Sequence, residues 1–259
     1  MSGYSGIKGS VYIVTGAASG IGRATAVRLA SLGASGLALS DVNVAGLEET
    51  NKTISADYPE TKVTLTKLDV SDLDAVAAWV EGSYKHFGKI DGAANVAGLA
   101  GGDGNTNTSN IPQAMWDKTI GVNLTGLMAC MRAELQYLPK PGGAIVNVAS
   151  TAGIRGLPGS STYSASKFGV IGLTQSAAGE FGQSGIRINA VLPGPIDTAI
   201  FRDGEKKGLF DSKIMGGSTF FNRMGQAAEV ANVLAFLLSS DSSFVTGAAW
   251  PVDGGYTAK

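Results

Sequence analysis

The chain has 259 residues, of which 44% are hydrophobic, and its 20 basic and 21 acidic side chains leave a formal net charge of -1. Chains of this length bury about 70 to 75% of the surface that the unfolded chain exposes, so we expect one domain over residues 1–259. The balanced charge supplies no basic stripe for nucleic acid and no polybasic patch for a membrane surface, so neither partner is expected.

The cysteine and histidine content limits the redox and metal chemistry of the chain. Cys130 is the single cysteine, which excludes intramolecular disulfides, and with His86 as the single histidine we expect no metal site. The first ten residues lack the apolar core of a secretory signal, and no apolar run approaches the roughly 18 residues that span a bilayer. The sequence therefore predicts a reducing, cytoplasmic setting.

Short β-branched or apolar runs alternate along the chain with longer segments of helical spacing, a pattern typical of a parallel sheet covered on both faces. Strands are predicted near Ser10–Thr15, Gly36–Ser40, Lys62–Leu68, Gly92–Asn95, Gly143–Ala149, Ile186–Leu192 and Ala248–Pro251. Helices are predicted near Gly20–Leu32, Val44–Asp57, Leu73–His86, Pro112–Leu138, Thr162–Gly182 and Ala227–Leu238. Right-handed crossovers then predict a doubly wound, Rossmann-like α/β domain of about seven parallel strands with helices on both faces.

A glycine-rich turn joins the first predicted strand to the first predicted helix. Residues 15–22 place Gly16, Gly20 and Gly22 in a Gly-x3-Gly-x-Gly spacing, with Ser19 and Ile21 between them. Backbone N–H groups and the positive end of a helix dipole can approach a pyrophosphate at such a turn. The commoner Gly-x-Gly-x-x-Gly fingerprint is not matched, so an ordinary tight turn is the alternative.

Two aspartates end predicted strands where a nucleotide could reach them. Asp41 lies 19 residues after Gly22, about where a carboxylate accepts hydrogen bonds from an adenosine ribose and repels a 2′-phosphate. Arg23 is the one cation close to the glycine turn, so NAD is favoured over NADP. Asp41 could equally cap the helix that begins at Val44, and for Asp69 a capping or turn role has equal weight.

A phenol and an ammonium lie four residues apart in the fifth predicted helix. Tyr163 and Lys167 therefore share one helix face, and the cation is expected to lower the pKa of Tyr163 so that the phenol works as a general acid or base. Such pairs also arise by chance. Ser150 follows the buried-looking strand at the sheet edge where open α/β sheets bind ligands, although it could simply begin a turn.

Taken together and in this order, these motifs resemble the short-chain dehydrogenase/reductase family over nearly the full chain. The resemblance identifies residues 95–98 with a structural segment of the sheet in which Val96 replaces the usual second Asn. It identifies residues 193–198 with the segment beside the nicotinamide. The cofactor residues that it implies, together with Asp41, are Gly16, Ser19, Gly20, Ile21, Gly22, Asp69, Val70, Asn95, Ala97, Gly98, Tyr163, Lys167, Pro193, Gly194, Ile196 and Thr198.

The resemblance also implies a catalytic tetrad, with the family's 13-residue gap from Ser150 to Tyr163. Ser150 would hydrogen-bond the substrate oxygen, and Tyr163 would pass a proton to or from it. Lys167 would hold the nicotinamide ribose and lower the pKa of Tyr163. Asn123 would bend its helix locally and hold a water in a proton relay.

The predicted function is hydride transfer between NAD(H) and a small secondary alcohol or ketone. Alternatives are an NADP(H)-dependent carbonyl reductase of the same family, a catalytically silent nucleotide-binding scaffold, or non-redox chemistry on the same fold. The complete tetrad argues against the scaffold.

Residues 194–225 are too long for a bare connection and are predicted to form a substrate lid. The expected apolar walls of the substrate site, or alternatively packing residues, are Leu99, Ile154, Leu157, Phe201 and some of the lid's other Phe and Met side chains.

A homotetramer or homodimer is expected as well. Similar proteins often pair helices of this kind, and small side chains permit the close approach of a second helix. Those expected to do so are Ala165, Gly169, Gly172 and Ala177.

Overall fold

The computed structural model describes residues 4–102 and 105–258. Its strands are β1 (Val11–Thr15), β2 (Gly36–Asp41), β3 (Lys62–Lys67), β4 (Gly92–Asn95), β5 (Ala144–Val148), β6 (Arg187–Pro193), β7 (Ile196–Asp197), β8 (Gly225–Gln226) and β9 (Ala249–Val252). Its α-helices are α1 (Gly20–Ser31), α2 (Val44–Asp57), α3 (Leu73–Phe87), α4 (Gln113–Ile120), α5 (Leu127–Glu134), α6 (Ser161–Phe181), α7 (Ala199–Lys206), α8 (Ser212–Gly217) and α9 (Ala227–Leu238).

Seven strands form one parallel sheet in the order β3-β2-β1-β4-β5-β6-β9. The chain moves outward in one direction from β1 to β3 and then returns to β4 on the other side of β1. This reversal leaves a crevice at the carboxyl ends of β1 and β4, the usual ligand position in open α/β sheets. The prediction of a doubly wound, Rossmann-like sheet is confirmed.

Alternation along β1 explains why the sheet is covered on both faces. Ile13 packs into a core with Val76 of α3 and Val170 of α6. Its neighbours Tyr12 and Val14 point the other way, into a second core that includes residues of α1 and α9. A strand with both faces buried reads as a continuous apolar run, which is how β1 appears in the sequence.

The predicted helix over residues 112–138 is wrong as a single α-helix. α4 and α5 are separated by a π-helical turn, Gly121–Gly126, and α5 ends at Glu134. A Cβ on Gly126 would lie 2.7 Å from the carbonyl oxygen of Val70, so the widened turn rests directly on the loop after β3. Such turns occur mostly as short interruptions of α-helices, frequently at functional sites.

Two of the four small residues predicted to let a second helix approach α6 pack within this chain. A Cβ on Gly169 would lie 2.7 Å from the Leu124 side chain, and Ala177 is buried in the core of the same chain. These two residues permit close packing within the chain, whereas Ala165 and Gly172 are exposed. No helix in the described part of the chain is long and apolar enough to cross a membrane.

Candidate active site

The glycine turn between β1 and α1 has no room for a side chain at Gly16 or at Gly22. Gly16 has φ +67°, and a Cβ there would lie 2.9 Å from the backbone nitrogen of Ala97. A Cβ on Gly22 would collide with the carbonyl group of Gly16. The turn and the loop after β4 therefore meet backbone to backbone, which leaves the N-terminus of α1 open to the cavity.

Asp41 is fixed at the mouth of this turn. Its Oδ2 accepts a hydrogen bond from the backbone of Ala18 at 3.0 Å, and its Oδ1 accepts one from the backbone of Asn43 at 3.0 Å. Asn43, and not Asp41, caps α2 by accepting from Gly46. The alternative role of Asp41 as the cap of this helix is therefore excluded, and its carboxylate lines the cavity.

Arg23, the cation nearest to the glycine turn, points away from the cavity. Its guanidinium lies 2.8 Å from the Glu49 carboxylate and donates to the Ala18 carbonyl at 2.6 Å. A second nitrogen, Nε, donates to the Thr50 hydroxyl at 3.0 Å. These contacts hold Arg23 against α2, and Arg23 does not line the cavity.

Ser150, Tyr163 and Lys167 meet where β5 ends against α6, and we call them the catalytic floor after the role that the resemblance implies for them. Ser150 accepts at its Oγ from the backbone of Ala152 at 3.1 Å, and its side chain lies near enough to Tyr163 to affect the pKa of the phenol. Lys167 Nζ donates to the Val148 carbonyl at 2.8 Å and lies 5.7 Å from the centroid of the Tyr163 ring. The spacing read from the sequence thus corresponds to one cluster of polar groups.

The expected lowering of the Tyr163 pKa by Lys167 is wrong for this structure. Burial raises the pKa of Tyr163, and the nearby Ser150 side chain counters this only in part. Burial also lowers the pKa of Lys167 to about 8. Both shifts have one cause, since loss of water disfavours the charged form of each group.

Asn123 lies in the π-helical turn behind the catalytic floor. Its Oδ1 accepts from the backbone of Leu99 at 2.9 Å, and its Nδ2 donates to the Leu99 carbonyl at 3.0 Å and to Ser166 Oγ at 3.1 Å. A Cβ on Gly98 would lie 3.3 Å from Asn123 Oδ1 and 3.5 Å from Lys167 Nζ. Glycine at position 98 therefore leaves room for both the Asn123 amide and the Lys167 ammonium. Asn123 lies in an interrupted helix, as the resemblance implied.

A cavity of about 300 Å³ runs along the carboxyl edge of the sheet and is lined by most of the predicted site residues. Those that line it are Gly16, Ser19, Gly20, Ile21, Gly22, Asp41, Gly98, Ser150, Tyr163, Lys167, Pro193, Gly194, Ile196 and Thr198. Those that do not are Asp69, Val70, Asn95, Ala97 and Asn123. Asp69 is engaged in a turn, because its Oδ1 accepts from both the backbone and the hydroxyl of Ser71.

Asn95 lies inside a buried polar network beneath the cavity. Its Nδ2 donates to Glu134 Oε2 at 3.0 Å and to Asn147 Oδ1 at 3.1 Å, and Asn147 donates onward to Thr174 at 2.9 Å. Burial raises the pKa of Glu134 to about 8. Asn95 therefore joins β4 to β5 and α5, and its side chain supports the sheet from within the core.

The predicted apolar walls are largely present. Leu99, Leu157 and Phe201 line the cavity, but Ile154 is wrong, since it is 44% exposed and lies outside the lining. Of the other apolar residues of segment 194–225, Phe210 and Met215 contribute to the lining.

Arg155 and Tyr256 also line the cavity and were missed by the sequence reasoning. Neither belongs to a periodic pattern or a motif. Tyr256 lies 101 residues after Arg155, and no local sequence pattern predicts that the two side chains meet.

Segment 194–225 contains β7, α7 and α8, and β8 begins at its end. β7 pairs in parallel with β8, which closes the segment into a loop with joined ends. Thr198 caps α7 by accepting from Phe201, and Asp211 caps α8 by accepting from Lys213 and Ile214. The motion of this segment as a lid stays a prediction.

Comparison with known proteins agrees with this geometry. A sequence profile of the family described as Enoyl-(Acyl carrier protein) reductase matches residues 16–257. The short-chain dehydrogenase/reductase ABA4 of Pyricularia oryzae is 43% identical over 252 residues, which cover 96% of this chain and 93% of that protein. Cyclohexanol dehydrogenase of an Acinetobacter species is 40% identical over 250 residues, with 96% and 95% coverage.

Levodione reductase is similar in both sequence and structure. The protein of Leifsonia aquatica is 41% identical over 254 residues, which cover 96% of this chain and 94% of that protein. A crystal structure of levodione reductase matches with a TM-score of 0.92 and 39% identity, and the match covers 97% of this chain and 98% of that chain. The fold, the arrangement of the catalytic floor and these relatives agree, and the chain belongs to the short-chain dehydrogenase/reductase family.

Proposed function

We propose that this protein is an NAD(H)-dependent oxidoreductase that interconverts a secondary alcohol and its ketone. The observation that carries the proposal is a single cavity lined by the glycine turn, Asp41 and the catalytic floor. A nucleotide-binding scaffold would need the first two but has no evident use for the third. The arrangement therefore supports a catalytic role over a silent one.

The residues present fit a nicotinamide dinucleotide. Gly16 and Gly22 leave no room for a Cβ, so the turn packs backbone to backbone, and Asp41 offers a carboxylate at the mouth of the turn. When bound, NAD supplies or accepts the hydride at nicotinamide C4. The glycine turn would hold the pyrophosphate, and the segment of Pro193 to Thr198 would hold the nicotinamide end.

In this proposal the catalytic floor handles the proton and the substrate oxygen. Ser150 donates a hydrogen bond to that oxygen, and Tyr163 gives it a proton in reduction and takes one back in oxidation. Lys167, held in place by its bond to the Val148 carbonyl, would hold the nicotinamide ribose. Asn123 holds the loop at Leu99 and thereby positions one wall of the cavity.

Asp41 and Arg23 together support NAD over NADP. The Asp41 carboxylate would accept hydrogen bonds from the ribose hydroxyls and would repel a 2′-phosphate. Arg23 is engaged with Glu49 and the Ala18 carbonyl, so pairing with a 2′-phosphate would require it to give up these contacts.

The relatives named above suggest the kind of substrate. One is called cyclohexanol dehydrogenase and one levodione reductase, and the cavity walls at Leu99, Leu157, Phe201, Phe210 and Met215 are apolar. We propose a cyclic secondary alcohol or ketone. We also propose that the protein forms a homotetramer or homodimer and works in the cytoplasm.

Titration with NADH and then NADPH, followed by nicotinamide fluorescence, tests the cofactor assignment. We expect tighter binding of NADH, and we expect Asp41→Asn to weaken it about 10- to 100-fold, the cost of losing hydrogen bonds to a charged group. Asp57→Asn, at the exposed end of α2, is the matched control and should bind NADH like the wild type. Tighter binding of NADPH would contradict the role of Asp41, and no binding of either would favour the scaffold.

A further inference from the structure

Arg155 brings a positive charge to the cavity for which the proposed reaction has no use. Among the described residues that line the cavity, the charged side chains are Asp41, Lys167 and Arg155. Asp41 lies at the glycine turn, and Lys167 belongs to the catalytic floor. Arg155 forms no salt bridge with any described carboxylate, whereas Arg23, Arg202 and Lys207 each do.

The backbone of Arg155 is held close to the catalytic floor. Its N–H donates to the Thr151 carbonyl at 3.3 Å, in the short turn that begins at Ser150. A Cβ on Gly153 in this turn would lie 2.7 Å from the carbonyl oxygen of Lys167, so the turn packs directly on α6. The turn that follows Ser150 therefore also fixes the backbone position of Arg155.

The C-terminal segment orients the Arg155 side chain. Its guanidinium carbon lies 4.7 Å from the centroid of the Tyr256 ring, and Nη2 lies 3.4 Å from the Tyr256 hydroxyl. Asp253 fixes the segment by accepting from the backbones of Gly255 and Thr257, both at 2.9 Å. A guanidinium has five N–H donors, and within residues 4–102 and 105–258 this long bond is its only side-chain hydrogen bond.

We propose that Arg155 binds a carboxylate carried by the substrate, so that the natural substrate is a cyclic hydroxy or keto acid. The inference rests on the proposed function, because Ser150 and Tyr163 take the reacting oxygen and leave Arg155 for a second group. The planar fork of a guanidinium matches a carboxylate in two parallel hydrogen bonds. The apolar walls at Leu157, Phe210 and Met215 receive the ring between the two polar ends.

A binding experiment tests the proposal without depending on turnover. Cyclohexanecarboxylate and its neutral analogue cyclohexanecarboxamide are titrated into the NADH complex by calorimetry. We expect the carboxylate to bind about 10- to 100-fold more tightly, as is typical for hydrogen bonds to a charged group. This preference should disappear in Arg155→Gln, fall in part in Arg155→Lys and survive in Arg132→Gln, which removes an exposed charge from α5.

A kinetic experiment then uses 4-oxocyclohexanecarboxylate and its amide as substrates. We expect the wild type to favour the carboxylate through a lower KM, and Arg155→Gln to reduce the ratio of the two kcat/KM values about 10- to 100-fold. Equal binding of acid and amide by the wild-type NADH complex overturns the inference even if the Gln variant does not fold. So does a preference that survives in a Gln variant that still binds NADH. Failure of the wild type to bind NADH overturns the proposed function instead.

Discussion

The catalytic floor and the segment 194–225 line the same cavity, but they are built in different ways. In the floor, Lys167 is 3% exposed and donates to a backbone carbonyl, and Ser150 is 9% exposed and accepts from the backbone of Ala152. In the segment, Phe220 is 63% exposed and Phe221 is 71% exposed. The segment is held by the pairing of β7 with β8, by a backbone bond from Phe220 to the Gly254 carbonyl at 2.8 Å, by local helix caps and by exposed ion pairs such as Arg202 with Asp197.

The difference indicates that the catalytic floor and segment 194–225 have different roles in one cavity. Groups on a long buried helix and at the end of a buried strand keep one geometry, which proton transfer requires. Exposed pairs contribute about 0 to 1 kcal/mol each, so these pairs restrain the segment only weakly, and its motion as a lid stays a prediction. We therefore expect substitutions in or beneath the catalytic floor to alter the turnover rate or the stability of the protein. We expect substitutions in segment 194–225 to alter the affinity for the substrate.

The largest expected effect comes from the floor itself. Tyr163→Phe removes the phenol oxygen while retaining the ring, and it should lower kcat for a ketone such as cyclohexanone about 10²- to 10⁴-fold, the usual contribution of a general acid. NADH binding, measured by fluorescence, should stay within a few-fold. Tyr84→Phe on the surface of α3 is the control, and residual turnover near the wild-type level would remove Tyr163 from the mechanism.

The next effect lies in the polar network beneath the floor. Glu134 is fully buried, and burial raises its pKa from 4.5 to about 8. Its Oε1 and the Oδ1 of Asn95 have no hydrogen-bond partner among the described residues, which further disfavours a charge there. The folded chain keeps a proton that the unfolded chain releases, so this contribution to stability is complete below pH 4.5 and is lost as the pH rises through about 8.

Glu134→Gln should remove that dependence because the amide cannot ionise. Relative to the wild type, the variant should gain roughly a few kcal/mol in free energy of unfolding between pH 5 and pH 9, measured by urea denaturation. Glu180→Gln, at an exposed position near the end of α6, serves as the control. A difference between variant and wild type that does not change with pH would mean that Glu134 is charged in the folded state.

The smallest effect is expected above the cavity. Phe201 stacks on Phe210 with ring centroids 5.2 Å apart, and both line the cavity. Phe201→Ala should raise the KM for cyclohexanone by about 3- to 10-fold, with a smaller change in kcat, because the lost contact is apolar and remote from the proton transfer. Phe221→Ala is the matched control, since its exposed ring lies outside this cavity. A larger loss in kcat than in KM would erase the contrast between the two regions.

Local sequence patterns determined a large part of this molecule. Alternating apolar runs and helical spacings predicted the seven-stranded sheet, since burial on both faces of a parallel sheet leaves its mark on each strand separately. Residues 15–22 predicted a backbone cradle, and the spacing of Tyr163 and Lys167 placed both on one face of α6. Each of these features depends on residues close together in the chain, so each can be read without knowing what packs against it.

Only the tertiary structure decided the features that join distant residues. Arg155 meets Tyr256 across 101 residues, and Asn95 meets Glu134 across 39. Arg23 is withdrawn from the cavity by Glu49 of the next helix, and Asn43 takes the capping role that Asp41 could have filled. The direction of the Tyr163 pKa shift was also beyond the sequence, because desolvation depends on everything packed around the phenol and not on the lysine four residues away.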